Sequence, residues 1–300
     1  MISPLNRHLN KPHIQSLEDP VFKFFSLEVK VLRIDTMHPI ISGNKWMKLL
    51  PWLELAKQGF YKGLITKGGP WSNHVHAAAF SAFTENLPFT AIIKAKENFV
   101  TPTLQDALNW GANLQFVDQE KYNDEVLWAN MAIATKQLYI PMGGEGPVAI
   151  KGVSFFFDSI ELPTADYVIC PVGTGTTFKG IAASNTSYKN LIGINPGIND
   201  PSYTAMLDDL KTNFSAKNFT LLNDRSLKKF GKWPASLIDQ MNNWYEKWQL
   251  PTDIIYTAKM FSIFIKAAAA GDFKPGSSIL LIHTGGLQGN RSVEKGLLHF

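Results

Sequence analysis

Apolar strand-like runs alternate with helical patterns from one end of this 300-residue chain to the other. That alternation is the pattern of a parallel α/β protein and leaves little room for an all-α or all-β fold. The expected strands are Val29 to Ile34, Gly63 to Thr66, Phe89 to Lys94, Asn113 to Val117, Tyr167 to Cys170, Leu191 to Ile194, Phe219 to Leu222 and Ser278 to His283. Helices are expected between them. Ser72 should start one, because its hydroxyl can accept from orphan first-turn amides of a helix whose face repeats through His76, Ala79, Phe80 and Phe83. The pattern from Trp46 toward Lys57 should kink or break, because Pro51 lacks a backbone donor.

Bulk properties exclude some classes. No apolar run approaches the roughly 18 residues of a membrane span. Residues 1–17 carry Pro4, Arg7, His8, Lys11 and Pro12 and do not read as a signal peptide. The single cysteine, Cys170, cannot form an internal disulfide, so a reducing cytoplasm is the expected compartment; Cys170 itself ends an apolar strand and reads as packing. A net charge of +4 comes from scattered lysines, which predicts no nucleic-acid partner and suits a small anionic ligand. Only 18% of residues are charged, consistent with some surface lost to a homodimer interface.

Three segments carry chemistry. Ser42-Gly43-Asn44-Lys45-Trp46 places a lysine on a Gly-Asn turn at the mouth of a helix. Gly68-Gly69-Pro70-Trp71-Ser72-Asn73-His74 and Gly173-Thr174-Gly175-Thr176-Thr177 are small, hydroxyl-rich loops that each lead into a helix. Backbone amides, hydroxyls and a helix N-terminus together suit a phosphate dianion or a carboxylate. Taken singly, Lys45 is equally a surface lysine, Ser72 a helix cap and Gly173 to Thr177 a plain turn. Taken together they suggest a lysine for carbonyl chemistry, a cradle for a ring or carboxylate, and a phosphate cup. Neither G-x-G-x-x-G nor the P-loop pattern fits, which sets dinucleotides and nucleoside triphosphates aside. His74 and His76 are two apart and do not share a helix face, so they make a poor metal pair.

With Asp253-Ile254-Ile255-Tyr256-Thr257-Ala258-Lys259 and His283-Thr284-Gly285-Gly286 added, the ordered set of motifs resembles the pyridoxal-phosphate enzymes of the 1-aminocyclopropane-1-carboxylate deaminase and D-cysteine desulfhydrase family. The resemblance runs from about residue 30 to the C-terminus. It implies a tryptophan-synthase-β-like fold of type II, with two open parallel-sheet lobes and the cofactor between them. It also implies a large domain of residues 1–48 plus 160–300 and a small one of residues 49–159. Lys45 would hold pyridoxal 5'-phosphate and later take the substrate's α-proton, a role that burial and a nearby cation favour by lowering an amine's pKa.

By the same resemblance, Asn73 would contact the cofactor's phenolic oxygen and Ser72 the substrate carboxylate. Gly173, Thr174, Gly175, Thr176 and Thr177 would hold the phosphate. Tyr256 would face the substrate, and Thr284 and Gly285 would let backbone approach the ring. Thr257 matches the position that meets the pyridine nitrogen, where the deaminases carry glutamate and the desulfhydrases threonine or serine. His74 stands where the deaminases carry glutamine, and Trp233 is the best counterpart of their second tyrosine. Thr257 also reads as a plain helix start. The expected substrate is a small amino acid, with D-cysteine cleavage to pyruvate, ammonia and sulfide the leading activity. Its rivals are 1-aminocyclopropane-1-carboxylate deamination and binding of pyridoxal phosphate without turnover.

Overall fold

The computed structural model describes residues 9–197, 202–214, 217–224 and 230–300. Its strands are β1 His13–Leu17, β2 Glu28–Arg33, β3 Gly63–Gly68, β4 Phe89–Lys94, β5 Asn113–Val117, β6 Gln137–Ile140, β7 Ala165–Pro171, β8 Tyr188–Ile194, β9 Asn218–Leu222 and β10 Ser278–His283. Its helices are α1 Pro20–Phe24, α2 Asn44–Gln58, α3 Asn73–Thr84, α4 Pro102–Asn109, α5 Gln119–Asn123, α6 Glu125–Thr135, α7 Pro147–Asp158, α8 Thr176–Ala183, α9 Ser202–Asn213, α10 Ala235–Trp248 and α11 Thr257–Ala270.

The strands form two sheets, one of six strands in the order β1-β2-β10-β7-β8-β9 and one of four in the order β5-β4-β3-β6. All pairs but one are parallel. The exception corrects the sequence expectation: β1 lies antiparallel on β2, His13 opposite Arg33, so the larger sheet is mixed at that edge. Strand β6 was also unanticipated and pairs with β3 from Gly63 opposite Gln137 to Thr66 opposite Ile140. Central strands are buried on both faces, as every residue of β3 shows, because helices cover each side of a parallel sheet.

Helix α2 does not break at Pro51, one of the two outcomes expected there, since it continues from Asn44 to Gln58 with that residue inside it. Proline removes the donor that would meet the Met47 carbonyl one turn earlier. That carbonyl and the Pro51 ring lie against Gly152 of α7, where a β-carbon would come within 2.4 Å of Met47 O and 2.7 Å of the ring. Close packing on a neighbouring helix therefore keeps α2 in one piece. Gly180 of α8 repeats the device, with Val153 of α7 at 2.4 Å from the position of its missing β-carbon.

One core spans both sheets through α2, α3, α7 and α8, joining Leu49, Leu53, Leu64 and Ile93 to Val168, Ile181 and Leu280. A second core covers the far face of the six-stranded sheet with α10 and α11, and Trp233 packs against it. Cys170 is fully buried, and burial pushes its thiol up to about 12, as befits a packing residue. No helix among the described residues is long and apolar enough to cross a membrane.

Candidate active site

The C-terminal ends of β10 and β7 and the start of α2 meet at a single turn. Gly43 has φ +71°, and a β-carbon there would sit 1.9 Å from the Thr284 carbonyl, so glycine alone fits. Gly285, φ +74°, closes on the same turn from the other side, 2.8 Å from the Gly43 nitrogen by the same measure. The Asn44 amide donates to Thr284 O at 3.1 Å, and Asn44 Nδ2 donates to Thr177 Oγ1 at 2.9 Å. Lys45 Nζ donates in turn to Asn44 Oδ1 at 3.2 Å. Three segments distant in sequence are thus joined around Lys45. Burial lowers the pKa of its amine to about 8, against a raising influence from Asp253. A useful fraction of free base is then present near neutrality, the form that attacks carbonyls.

The loop Gly173 to Thr177 leads from β7 into α8. Gly175 is the N-cap in a left-handed conformation, φ +81°, and offers no side chain to the first-turn amides. Thr176 and Thr177 are buried at 2% and 4% exposure, and Thr174 Oγ1 lies 3.0 Å from Thr176 Oγ1. Tyr203 donates to Gly173 O at 2.6 Å and pins the loop from outside. An uncapped helix mouth, glycines and hydroxyls together make a cup for a dianion.

Ser72 caps α3, its Oγ accepting from the Val75 amide at 3.2 Å. That hydroxyl keeps its own proton for donation. Asn73 turns its Oδ1 toward Gln288 Nε2, which donates to it. His74 and His76 diverge. His76 Nε2 pairs with Asp106 Oδ2 at 3.0 Å, whereas His74 Nε2 lies 2.8 Å from Thr66 Oγ1. Since the Thr66 hydroxyl donates to Ile140 O, His74 must donate through Nε2, and its buried Nδ1 is left as an acceptor without a partner among the described residues. Burial, with Lys45 and Lys48 nearby, lowers the His74 pKa to about 3.

Tyr256 and Thr257 open α11 opposite the cup. The Tyr256 ring lies 3.1 Å from where a Gly173 β-carbon would stand, and burial, then Asp253, pushes its phenol up. Thr257 is fully buried. Its hydroxyl accepts from the Asp253 amide at 2.7 Å and donates to Asp253 Oδ1 at 2.9 Å. The Asp253 carboxylate also accepts the amides of Ile255, Tyr256 and Thr257 at 3.1, 3.0 and 2.8 Å. Helix α11 is therefore capped by its own chain.

Four neighbours escaped the sequence reading as site residues: Asn44, Lys48, Asp253 and Gln288. Lys48 had a signal, because it lies three residues after Lys45 on one helix face. It is buried at 4% exposure, and burial, then the charge of Lys45, holds its amine well below the usual lysine range while Glu145 opposes the shift.

A lysine with a lowered pKa and an uncapped helix mouth with hydroxyls fit a phosphorylated aromatic aldehyde such as pyridoxal phosphate.

Relatives agree with that fit. A Thermotoga maritima protein provisionally named 1-aminocyclopropane-1-carboxylate deaminase is 24% identical over 288 residues, spanning 88% of this chain and 90% of its own. A Pyrococcus abyssi protein of the same provisional name is 27% identical over 295 residues, spanning 88% of this chain and 86% of its own. Among solved structures, an ACC deaminase homologue superposes with a TM-score of 0.80 at 23% identity, covering 97% of this chain and 94% of that one. Serine racemase from Dictyostelium discoideum gives 0.69 at 14% identity, with 94% of each chain covered. These two likenesses establish a shared fold. The family described as pyridoxal-phosphate dependent enzymes matches residues 26–285, and the chain belongs to it.

Proposed function

We propose that this enzyme is a lyase that expels a leaving group from the β-carbon of a small amino acid, most like D-cysteine desulfhydrase. D-cysteine and water would give pyruvate, ammonia and sulfide. The observation that carries this reading is the neutral, fully buried Thr257 beside a carboxylate, Asp253, whose oxygens already accept three amides and a hydroxyl. No spare carboxylate is then offered from the start of α11 to keep a ring nitrogen protonated.

Bound pyridoxal phosphate would supply an electron-withdrawing ring that stores the electron pair released at the substrate's α-carbon. The protein's own groups do the rest. Gly173, Thr174, Gly175, Thr176 and Thr177 at the mouth of α8 hold the phosphate. Asn73 Nδ2 donates to the phenolic oxygen. Thr257, held by Asp253, would be the neutral residue on the side of the pyridine nitrogen. Thr284 and Gly285 present only small groups to the ring. Ser72 Oγ donates to the substrate carboxylate at the mouth of α3, Tyr256 faces the substrate, and Lys45 Nζ holds the cofactor and then takes the α-proton.

The deaminase alternative is favoured by the names of the relatives. It is opposed by Thr257 and by Trp233, which has no phenol and packs on the core beneath α10 and α11. Binding without turnover is the alternative of another class, and a free Ser72 hydroxyl beside a helix mouth argues against it. Residues 1–48 with 160–300 and residues 49–159 are proposed as the two domains, in a cytoplasmic homodimer. The test incubates the cofactor-loaded protein with D-cysteine and with 1-aminocyclopropane-1-carboxylate and assays sulfide and 2-oxobutyrate. Sulfide release far faster than 2-oxobutyrate release is expected; comparable rates give the deaminase reading its place, and neither product leaves a binding protein.

A further inference from the structure

The segment after Gly286 returns across the mouth of α3 as a short helical turn, Leu287–Ser292. It brings two polar side chains, Gln288 and Arg291, against α3 and α4. Arg291 Nη2 pairs with Asp106 Oδ2 at 2.8 Å and lies 3.4 Å from Gln288 Oε1. Thr103 Oγ1 donates to the same Gln288 oxygen at 2.8 Å. On its other side, Gln288 Nε2 faces the Trp71 carbonyl at 3.5 Å and donates to Asn73 Oδ1.

The direction of every bond in this chain is fixed at both ends. A guanidinium only donates, so the Gln288 oxygen must face Arg291; a peptide carbonyl only accepts, so the Gln288 nitrogen must face Trp71. With its nitrogen on that side, Gln288 can only donate to Asn73, and Asn73 must answer with oxygen. Asn73 Nδ2 is thereby turned to Gly286, where a β-carbon would stand 2.6 Å from it, and among the described residues it has no protein acceptor.

We propose that Gln288 is a positioning residue that sets the orientation of the Asn73 amide, so that a hydrogen-bond donor and not a lone pair meets the cofactor's phenolic oxygen. Arg291, held by Asp106, fixes the sense of the relay. This inference rests on the reading of Asn73 given under Proposed function, and it adds residues from the far end of the chain that no motif marked.

Gln288→Glu reverses the relay. One carboxylate oxygen still takes Arg291 and Thr103, while the other turns a lone pair to Asn73, which must flip and present Oδ1 to the cofactor. Loss of a hydrogen bond to a charged group corresponds to roughly ten- to hundred-fold in affinity. Fluorescence titration of cofactor-free protein with pyridoxal phosphate should show Q288E binding about ten-fold or more weakly. The visible absorption maximum of the loaded variant should also be displaced. Q288M, which neither donates nor accepts, should fall between Q288E and the parent. In an Asn73→Ala background, Q288E should change affinity by less than about two-fold, because the residue through which it acts is gone.

Equal losses in both backgrounds would make Gln288 a structural support and overturn the assignment, as would a Q288E protein with the parent's affinity and spectrum. If Asn73→Ala alone leaves affinity and spectrum unchanged, Asn73 is not at the cofactor and both readings fall. A marked Asn73→Ala effect with a silent Q288E sinks this inference alone.

Discussion

Two helices begin beside one another, Tyr256 at the mouth of α11 lying against Gly173 ahead of α8, and they are finished in opposite ways. Helix α8 starts from Gly175 with no side chain to bond its first amides. Helix α11 starts beneath Asp253, whose carboxylate and carbonyl take the amides from Ile255 to Ala258. Both carry the partial positive charge of a helix N-terminus, yet only α8 has donors left to give. The difference teaches which helix mouth can accept an anion from outside and which has already accepted one from within.

The contrast breaks most sharply at the lysine between the two ends. Lys45→Ala should abolish turnover, since proton transfer by a positioned group accounts for roughly 10²- to 10⁴-fold in rate and the covalent tether would be lost as well. Borohydride reduction of the parent followed by peptide mapping should find the pyridoxyl label on Lys45; a label on Lys48 would move the chemistry one turn along α2.

Asp253→Ala uncovers α11. A lost cap costs about 0.5–2 kcal/mol, and buried amides without partners add about 1–3 kcal/mol each, so denaturant unfolding should show a loss of several kcal/mol. Sulfate should not recover it, because α11 opens among buried residues. A variant as stable as the parent would mean that α11 is not self-capped.

Thr177→Val tests the open helix. Removing a hydroxyl from the cup, and with it the acceptor for Asn44 Nδ2, should weaken cofactor binding by about 1.5–3 kcal/mol, read by dialysis or titration. Folding stability without cofactor should move less than in Asp253→Ala. A larger stability loss at α8 than at α11 would invert the comparison.

The smallest effect concerns pH. The free amine is the reactive form, so capture of pyridoxal phosphate by cofactor-free protein should quicken as pH rises and level off above about 8, where Lys45 is deprotonated. An ordinary lysine would keep gaining to roughly 10.4. Asp253 raises the Lys45 pKa, so removing its charge should move the plateau to lower pH.

Much of this was legible in the chain. The strands with continuous apolar runs were recognisable because burial on two faces leaves no choice of residue. Strand β1, His-Ile-Gln-Ser-Leu, was not, because an edge strand with mostly exposed side chains has no such constraint. Strand β6 is four residues long and too short for a periodic signal. That α2 runs on past Pro51 was not legible for a different reason: the helix packs there on Gly152 of α7, about a hundred residues away in sequence, and no local pattern reports that. The lysine turn stood out because glycine is required where its backbone nearly touches that of Thr284, and the phosphate-type loop because Gly175 takes a left-handed φ and Gly173 lies under the Tyr256 ring. The self-capping of α11 was half visible, since Asp253 precedes Thr257 by one turn. Gln288 meeting Asn73 is a contact of tertiary structure alone.

Helix α2 has its first turn stitched to the end of β10 through Thr284 and to α8 through Thr177, and its body sealed into the common core against α7. The helix is thus a strut bolted at its first turn and embedded along its length, and Lys45 stands at the bolt. Displacing the reactive amine's backbone would require breaking both bonds of Asn44, to Thr284 O and to Thr177 Oγ1, so the fold itself sets where that backbone stands.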